Sequence, residues 1–395
     1  MVLSDKVASS LGKASWIRKM FEEGDRLRKI YGPEKVFDFT LGNPSVEPPE
    51  KFNEQLKTLA LNPEPGMHRY MSNAGYPETR SAVAEVIAEQ SDLPFTAQHI
   101  VMTVGAGGGL NVVLKAILNP GDEVIALSPY FVEYGFYVDN HGGVLKVVPN
   151  DEKFLPDLDA IASAINEKTR AIIINSPNNP TGVVYPAETL ASLGKLVTEK
   201  SQQWGRPIFV LSDEPYAKIV YDGVKVPSVF PYITNAIMVT SHSKDLALPG
   251  ERIGYIAVNP RINGVNQLVE GLIFCNRTLG FVNAPALMQR LVKGLQRESV
   301  NIEEYQEKRD VLYNHLTSLG FEIQKPQGAF YLFPKSPLAD DLEFTRVALN
   351  HNILVVPGGG FGTPGYFRLS YCIEMDTIKR SLPAWTSLAQ ELGLK

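Results

Sequence analysis

The chain contains 395 residues, of which 44% are hydrophobic and 21% are charged, and it carries a formal net charge of −5. This length suits about two or three domains with a large buried core, and the composition excludes an intrinsically disordered chain. The acidic balance argues against a nucleic-acid partner, because nucleic-acid-binding surfaces are usually basic.

The cysteines and the N-terminus point to a reducing compartment. Cys275 and Cys372 are too few for a disulfide framework, and they lack the Cys/His spacing of a zinc site. No apolar run reaches the length of a membrane span, and the N-terminal segment lacks the continuous apolar core of a secretory signal. We therefore expect a cytoplasmic protein with no metal and no membrane partner.

The N-terminal segment instead has the spacing of an amphipathic helix that docks on the rest of the protein. One face of this helix collects the apolar positions Val7, Leu11, Trp16, Ile17, Met20 and Phe21.

From about residue 98 the chain alternates short apolar runs with helical patterns. The apolar runs are IVMTVG (100–105), EVIALSP (123–129), RAIIINSP (170–177), PIFVLSDE (207–214), AIMVTSHS (236–243) and IGYIAVNP (253–260). Nearly continuous apolar strands are covered by helices on both faces. The pattern therefore predicts an α/β domain with a largely parallel sheet over residues 48–284.

The pattern changes after Pro285. Residues 286–320 predict one long helix, and the short strands predicted after it lie around FEIQ, GAFYLFP, ILVVPGG and YFRLSYC. Helices and strands no longer alternate strictly, so we expect a smaller α+β domain formed by residues 285–395 together with residues 1–47.

Polar residues follow several of the predicted strands at the point where each strand ends. They include the glycines of GAGGGL (105–110), then Asn175, Asn178 and Asn179, then Asp213, and finally Ser241, Ser243 and Lys244. Ligands of open α/β sheets bind outside the carboxyl ends of the strands. These residues are therefore expected to face one crevice.

The glycine run by itself has two interpretations. It is not a full dinucleotide fingerprint, because Leu110 stands where the third glycine would be, and the chain has no P-loop, HExxH or GxSxG motif. A glycine-rich turn that opens a helix offers free N–H groups and a positive dipole end to an anion. It can equally be a tight turn between a strand and a helix.

The residues of the crevice fit one cofactor when they are taken together. Pyridoxal phosphate (PLP) needs a lysine, an aspartate opposite its ring nitrogen and donors for its phosphate. Lys244, Asp213 and the glycine run supply these groups, and the phenol of Tyr216 follows Asp213 closely.

Over nearly its whole length the sequence resembles the class I and II aminotransferases, the aspartate aminotransferase-like enzymes of PLP fold type I. The matching motifs, in chain order, are GNP (42–44), Tyr70 with AGYPETR (74–80), TVGAGGG (103–109), SPYF (128–131), NSPNNPTG (175–182), SDEPY (212–216), SHSK (241–244) with Arg252, GAFYLFP (328–334) and FRLS (367–370). The resemblance implies a mostly parallel seven-stranded sheet flanked by helices, plus a smaller α+β domain.

The resemblance also implies roles for the cofactor-binding residues. Lys244 would hold the cofactor and move the substrate proton, Asp213 would keep the ring nitrogen protonated, and Tyr216 and Asn179 would bind the phenolic oxygen. Phe131 would stack on the ring. The phosphate would bind to Gly105, Ala106, Gly107, Ser241, Ser243 and Arg252.

Other implied residues concern the substrate and the oligomer. Arg368 would bind the substrate α-carboxylate, with Gly42 and Asn179 nearby. Tyr70 would reach the phosphate of the neighbouring subunit, which implies a homodimer. Arg277 lies near the position where relatives that act on acidic substrates carry an arginine, and its alternative interpretation is a surface or interface residue.

The predicted function is PLP-dependent, ping-pong transfer of an amino group from an L-amino acid to a 2-oxo acid, with acidic or aromatic donors. A lyase, decarboxylase or synthase of the same fold is the alternative. A PLP-binding transcription regulator would need a basic DNA-binding module, which the acidic N-terminal segment does not supply. His242 receives no role, and a packed neighbour is its simplest interpretation.

Overall fold

The computed structural model describes residues 2–13 and 15–394, and for residues 12–13 and 15–22 it describes the backbone alone. The predicted N-terminal helical face lies partly outside the described side chains, namely at Trp16, Ile17, Met20 and Phe21. Val7 and Leu11 are described, and both are largely exposed.

The α-helices of the described residues are α1 Asp5–Lys13, α2 Ser15–Tyr31, α3 Glu50–Leu61, α4 Pro77–Ser91, α5 Gly105–Ile117, α6 Glu133–Asp139, α7 Leu158–Ala164, α8 Ala187–Gln203, α9 His242–Asp245, α10 Val265–Thr278, α11 Ala286–Lys293, α12 Ile302–Ser318, α13 Asp341–Asn350 and α14 Met375–Glu391. The strands are β1 Phe37–Asp38, β2 Ile100–Thr103, β3 Glu123–Ser128, β4 Val144–Pro149, β5 Thr169–Asn175, β6 Phe209–Asp213, β7 Ala236–Ser241, β8 Gly254–Val258, β9 Tyr331–Leu332, β10 Ile353–Leu354, β11 Val356–Pro357 and β12 Phe367–Ser370.

A seven-stranded sheet is the centre of the fold, with the strand order β2-β8-β7-β6-β5-β3-β4. Every neighbouring pair is parallel except the two pairs that β8 forms with β2 and β7. The predicted fold class, a mostly parallel α/β sheet flanked by helices, is confirmed. Strand β4 was not predicted.

The apolar strand runs are explained by burial on both faces. In β5, Ile172 and Ile174 belong to one hydrophobic cluster, and Ala171 and Ile173 belong to another. Successive strand residues point to opposite faces, so a strand covered on both sides has no polar alternation.

A second, smaller core surrounds two short sheets. Strands β11, β12 and β9 form an antiparallel sheet, and β1 pairs with β10 in parallel. Phe330, Phe367 and Trp385 are fully buried in this core. The boundaries at residues 48 and 285 remain a prediction.

Two local predictions for the C-terminal part are wrong. FEIQ forms no strand, and the single helix predicted over residues 286–320 is two helices, α11 and α12. The break arises because Asn301 caps α12 by accepting a hydrogen bond from the N–H of Glu303, and because the N–H of Val300 donates to the carbonyl of Asp245. Within the described residues, no helix has the length and apolar character needed to cross a bilayer.

Candidate active site

A cavity of about 360 Å³ lies at the carboxyl ends of the parallel strands. It collects most of the predicted site residues from distant parts of the chain. Its lining includes Gly42, Ala106, Gly107, Phe131, Asn179, Asp213, Tyr216, Ser241, Ser243, Lys244, Arg252 and Arg368.

Lys244 reaches this cavity from α9, a four-residue helix that directly follows β7. Its Nζ atom donates to the carbonyl oxygen of Gly42 over 2.6 Å and lies 5.4 Å from the ring centre of Phe330. Burial lowers the pKa of Lys244 to about 8. The amine is therefore partly neutral near physiological pH, as a nucleophile or a general base requires.

Gly42 is a glycine because another side chain occupies the space beside it. A Cβ atom at this position would overlap the Tyr331 hydroxyl. The backbone of residue 42 can therefore approach both Tyr331 and Lys244.

Asp213 ends β6 and projects a partly unsatisfied carboxylate into the cavity. Tyr134 donates its hydroxyl to Oδ2 over 2.6 Å, whereas the buried Oδ1 has no hydrogen-bond partner among the described residues. Burial raises the pKa of Asp213 to about 6, and the Tyr134 hydrogen bond opposes this rise. A buried carboxylate with a free oxygen favours a cationic or N–H partner.

The glycine turn before α5 fits closely around two side chains. Gly105 has a φ of 72°, and a Cβ atom there would lie 2.7 Å from Nη2 of Arg252. A Cβ atom on Gly107 would lie 2.9 Å from the hydroxyl of Tyr137. The missing side chains leave the first N–H groups of a 13-residue helix accessible at its positive end.

Further donors surround this turn. Ser241 and Ser243 are linked by a 3.1 Å hydrogen bond between their hydroxyls, and the Arg252 guanidinium is anchored by donating to the carbonyl of Pro249 over 2.8 Å. N–H groups, hydroxyls and a guanidinium around one point form a site for a phosphate-like anion.

Arg368 is buried, and other residues hold it in place. Its Nη1 donates to Oδ1 of Asn179 over 3.1 Å, and its Nη2 donates to the carbonyl of Thr40 over 2.6 Å. The guanidinium carbon lies 4.6 Å from the Tyr331 ring centre. The buried Nε has no partner among the described residues, so this arginine retains donor capacity for a carboxylate.

Two pairs of aromatic residues complete the lining. The Tyr216 and Tyr331 hydroxyls are 3.0 Å apart, so one donates to the other. Phe131 meets Tyr134 edge to face, with ring centres 5.7 Å apart.

Three predicted residues do not line the cavity. Gly105 immediately precedes the lining residue Ala106, whereas the other two, Tyr70 and Arg277, are exposed. Tyr70 is 87% exposed. Arg277 is exposed on α10, with its guanidinium carbon 5.5 Å from the ring centre of the exposed Phe274. A role for either residue therefore requires a second subunit.

Sequence reasoning missed some cavity residues, chiefly Tyr134, Tyr137 and Tyr331. Tyr134 and Tyr137 are three residues apart on α6, so they share one face of the helix. That spacing directly after SPYF was the available signal. Tyr331 lies within the matched motif GAFYLFP, but no role was predicted for it.

The sequence model of the family described as aminotransferase class I and II matches residues 34–384. The chain belongs to this family. As an aminotransferase of this family, it is an enzyme that transfers amino groups, and the family as a whole depends on PLP. The predicted family and enzyme class are confirmed, and lyase chemistry is not favoured.

Relatives of this aminotransferase match it over most of their length. A solved amino transferase from Eubacterium rectale is 41% identical, covers 99% of each chain and has a TM-score of 0.96. The aspartate/prephenate aminotransferase of Thermus thermophilus is 34% identical over 87% of this chain and 88% of its own. The aromatic-amino-acid aminotransferase 2 of Thermococcus litoralis is 30% identical over 100% of both chains.

Proposed function

We propose that this aminotransferase binds pyridoxal 5′-phosphate in the 360 Å³ cavity and uses it to move the amino group of an L-amino acid to a 2-oxo acid. The observation that carries the proposal is the free Oδ1 of Asp213, which lines the same cavity as the Lys244 amine. The cofactor, when bound, supplies an electron-withdrawing ring that stabilises negative charge at the substrate Cα.

The residues of the cavity fit the parts of this cofactor. The first N–H groups of α5, the hydroxyls of Ser241 and Ser243, and the Arg252 guanidinium suit the phosphate. Asp213 suits a protonated ring nitrogen, because an opposite charge offsets the burial of its carboxylate. Tyr216 and Asn179 would donate to the phenolic oxygen, and Phe131 would cover one face of the ring.

Lys244 would act in two ways. Its amine would first hold the cofactor and, once substrate has displaced it, would accept and return the substrate Cα proton. The lowered pKa of Lys244, about 8, supports both roles because an ammonium group could perform neither.

Arg368 would orient the substrate by binding its α-carboxylate. Asn179 and Thr40 already fix the guanidinium plane, so little side-chain freedom remains to be lost on binding. This arrangement supports a site for any L-amino acid with a free carboxylate.

The choice of amino donor depends on the groups around the substrate side chain. The cations among the described lining residues are Lys244, Arg252 and Arg368, and each has a role above. An acidic side chain would therefore need Arg277 of a partner subunit, whereas Tyr137 and Tyr331 suit an aromatic one. We propose that the enzyme accepts acidic or aromatic donors. We also propose that it is a homodimer, with the exposed Tyr70 and Phe274 in the subunit interface.

Borohydride reduction tests the cofactor assignment. After incubation with pyridoxal 5′-phosphate, reduction should fix the cofactor mass on the peptide that carries Lys244 and leave the exposed Lys195 unmodified. An unmodified Lys244 peptide would contradict the assignment.

A donor panel tests the substrate class. Arg277→Ala should lower kcat/KM for aspartate relative to phenylalanine by about tenfold, with Arg290→Ala as an arginine control. An unchanged ratio would remove Arg277 from the proposal.

A further inference from the structure

The short helix α9 divides its side chains between two cavities. Lys244 lines the candidate active site, whereas His242 and Asp245 line a second cavity of about 420 Å³. Strand β7 divides in the same way, since Ser241 lines the first cavity and Thr240 the second. Because successive strand residues point to opposite faces, the second cavity lies on the far side of the sheet. None of the roles given above uses it.

An ion pair between the buried Asp245 and the partly exposed Lys218 lies, together with the His242 imidazole, at the end of this second cavity that adjoins α9. Asp245 is 6% exposed, and its Oδ2 lies 3.0 Å from Nζ of Lys218 and 3.2 Å from Nδ1 of His242. Burial alone would raise the pKa of Asp245, but the adjacent His242 and Lys218 hold that pKa below its ordinary value. The carboxylate is therefore charged and fully engaged.

Gln296 completes what we call the Asp245 cluster, which consists of Lys218, His242, Asp245 and Gln296. The Gln296 amide nitrogen donates to the carbonyl of Val292 over 2.8 Å and lies 3.3 Å from Nε2 of His242. Nε2 then accepts, so the ring proton lies on Nδ1 and points to Asp245.

The cluster joins three separate segments of the chain. Lys218 follows the cavity residue Tyr216 by two positions and donates to the carbonyls of Gln296, over 2.8 Å, and Glu298, over 3.0 Å. The N–H of Val300 donates to the carbonyl of Asp245 over 2.8 Å. Residues 294–301 lead from α11 to α12, whose Leu312 and Leu316 lie in the smaller core. These hydrogen bonds therefore connect the helix that carries Lys244 to the segment that leads into the smaller core.

Helix α9 needs such external support. A helix of four residues is not stable by itself, and α9 has no side-chain cap at its N-terminus. The backbone that carries Lys244 is thus held by tertiary contacts. Those of the next residue, Asp245, are the contacts of the Asp245 cluster.

We propose that the Asp245 cluster is a positioning device that holds the Lys244 amine ready to bond the cofactor. The inference rests on the proposed cofactor. In the bonding step the amine nitrogen attacks the aldehyde carbon, and the aldehyde oxygen leaves as water, so no oxidant or reductant is needed. Lys218, His242 and Asp245 contact neither substrate nor cofactor and act through Lys244.

Two related probes separate positioning from general damage. Pyridoxal 5′-phosphate can bond to Lys244, whereas pyridoxamine 5′-phosphate carries an amine in place of the aldehyde and cannot. The dissociation constants of both are measured on the full-length, cofactor-free protein by absorbance and calorimetry. In Lys218→Met/Asp245→Thr, which leaves no unpaired charge, the first should weaken about tenfold and the second by less than about twofold.

A matched ion pair provides the control. Arg206 and Asp122 are also 3.0 Å apart, and their side-chain exposures of 29% and 9% match the 28% and 9% of Lys218 and Asp245. Neither residue lines the two cavities. Arg206→Met/Asp122→Thr should lower the Tm and leave both dissociation constants unchanged.

The remaining outcomes are also decisive. If both probes weaken equally in the cluster variant, or if neither weakens, the cluster has only a structural role and the proposal is overturned. If the unmodified protein binds neither probe, the proposed cofactor is wrong, and the inference is overturned with it. Failure of the proposed cofactor is distinguishable from failure of the proposed cluster, because it is seen in the unmodified protein.

Discussion

The hydroxyl of Tyr134 donates to Oδ2 of Asp213 over 2.6 Å and leaves Oδ1 of the same carboxylate without a partner among the described residues. One oxygen is thus fixed by the protein, and the other remains available to a ligand. The hydrogen bond also opposes the effect of burial on the Asp213 pKa.

Tyr134→Phe should therefore weaken the binding of pyridoxal 5′-phosphate. Without the hydroxyl, the pKa of Asp213 rises above its present value of about 6, and more of the carboxyl is protonated at pH 7. A hydrogen bond to a charged group contributes about 1.5–3 kcal/mol, which corresponds to a pKa rise of about one to two units, so we expect about a twofold to tenfold loss of affinity at pH 7. The loss should shrink at pH 8.5, where Asp213 is ionised again. Titration at the two pH values checks this, and an equal loss at both would contradict it.

Asp213→Asn should stabilise the cofactor-free protein at alkaline pH. The folded state binds the Asp213 proton more tightly than the unfolded state, so stability falls as pH rises from 3.8 to about 6 and stays lower above that. The difference between these two pKa values corresponds to about 3 kcal/mol. Urea unfolding measures the free energy of unfolding of both proteins at pH 4 and pH 8. Between these pH values the variant should become more stable relative to the parent protein by roughly this amount.

Asp213→Asn should also greatly weaken cofactor binding. The substitution therefore has opposite effects on the stability of the cofactor-free protein and on its affinity for the cofactor. Burial, with a smaller contribution from the Asp213 charge, raises the pKa of Glu214 to about 7, so Asp213→Asn should also lower the pKa of Glu214 and add to the stability gained at alkaline pH. If Asp213→Asn gains no stability at pH 8, burial does not destabilise the Asp213 carboxylate, and the prediction is wrong.

Lys244 should be the most readily modified lysine of the cofactor-free protein near pH 8. Burial lowers its pKa from 10.5 to about 8, so its neutral form appears at lower pH than in an unfolded chain. Competitive labelling with an amine reagent, read by mass spectrometry and normalised to Lys195, should give a midpoint near 8. A midpoint near 10.5 would show that the amine is not desolvated.

Gly105→Ala should damage the anion site more than the fold. Gly105 and Gly121 both have positive φ, 72° and 85°, so alanine at either position costs about 1 kcal/mol in backbone strain. Only at Gly105 would the new Cβ atom approach Arg252, at 2.7 Å, whereas at Gly121 nothing lies within 4 Å. We expect similar losses of Tm, and about a tenfold loss of pyridoxal 5′-phosphate affinity in Gly105→Ala alone. Equal affinities of the two variants would place the phosphate elsewhere.

The sequence predicted the central sheet well because burial on both faces leaves continuous apolar runs such as RAIIINSP. It did not predict β4, since this strand lies at the edge of the sheet, where Val144 and Val147 are exposed and the lysine between them interrupts the run. The break between α11 and α12 depends in part on the distant contact of Val300 with Asp245, which the sequence does not reveal, whereas its other cause, the Asn301 cap, is a local signal that the prediction of one long helix overlooked.

For the site, the strand-end rule predicted from the sequence that Asp213, Asn179 and Lys244 lie together. It could not predict that Tyr134 bonds Asp213, or that Tyr331 lies against Gly42. Those relations depend on how helices and loops pack over the sheet, and the sequence alone does not encode such distances in a readable form. His242 had no role in the sequence for the same reason, since its partner Gln296 lies 54 positions away.

Strand β8 runs against its neighbours, and its first residue, Gly254, pairs with Ser241 at the end of β7. Lys244 and Arg252 therefore lie on one connection that begins and ends at the same edge of the sheet. The lysine that would hold the cofactor and the arginine that would hold its phosphate therefore belong to a single hairpin of the central sheet. Arg368, which would bind the substrate carboxylate, lies instead in β12 of the separate three-stranded sheet, so the proposed cofactor and substrate contacts come from two different sheets.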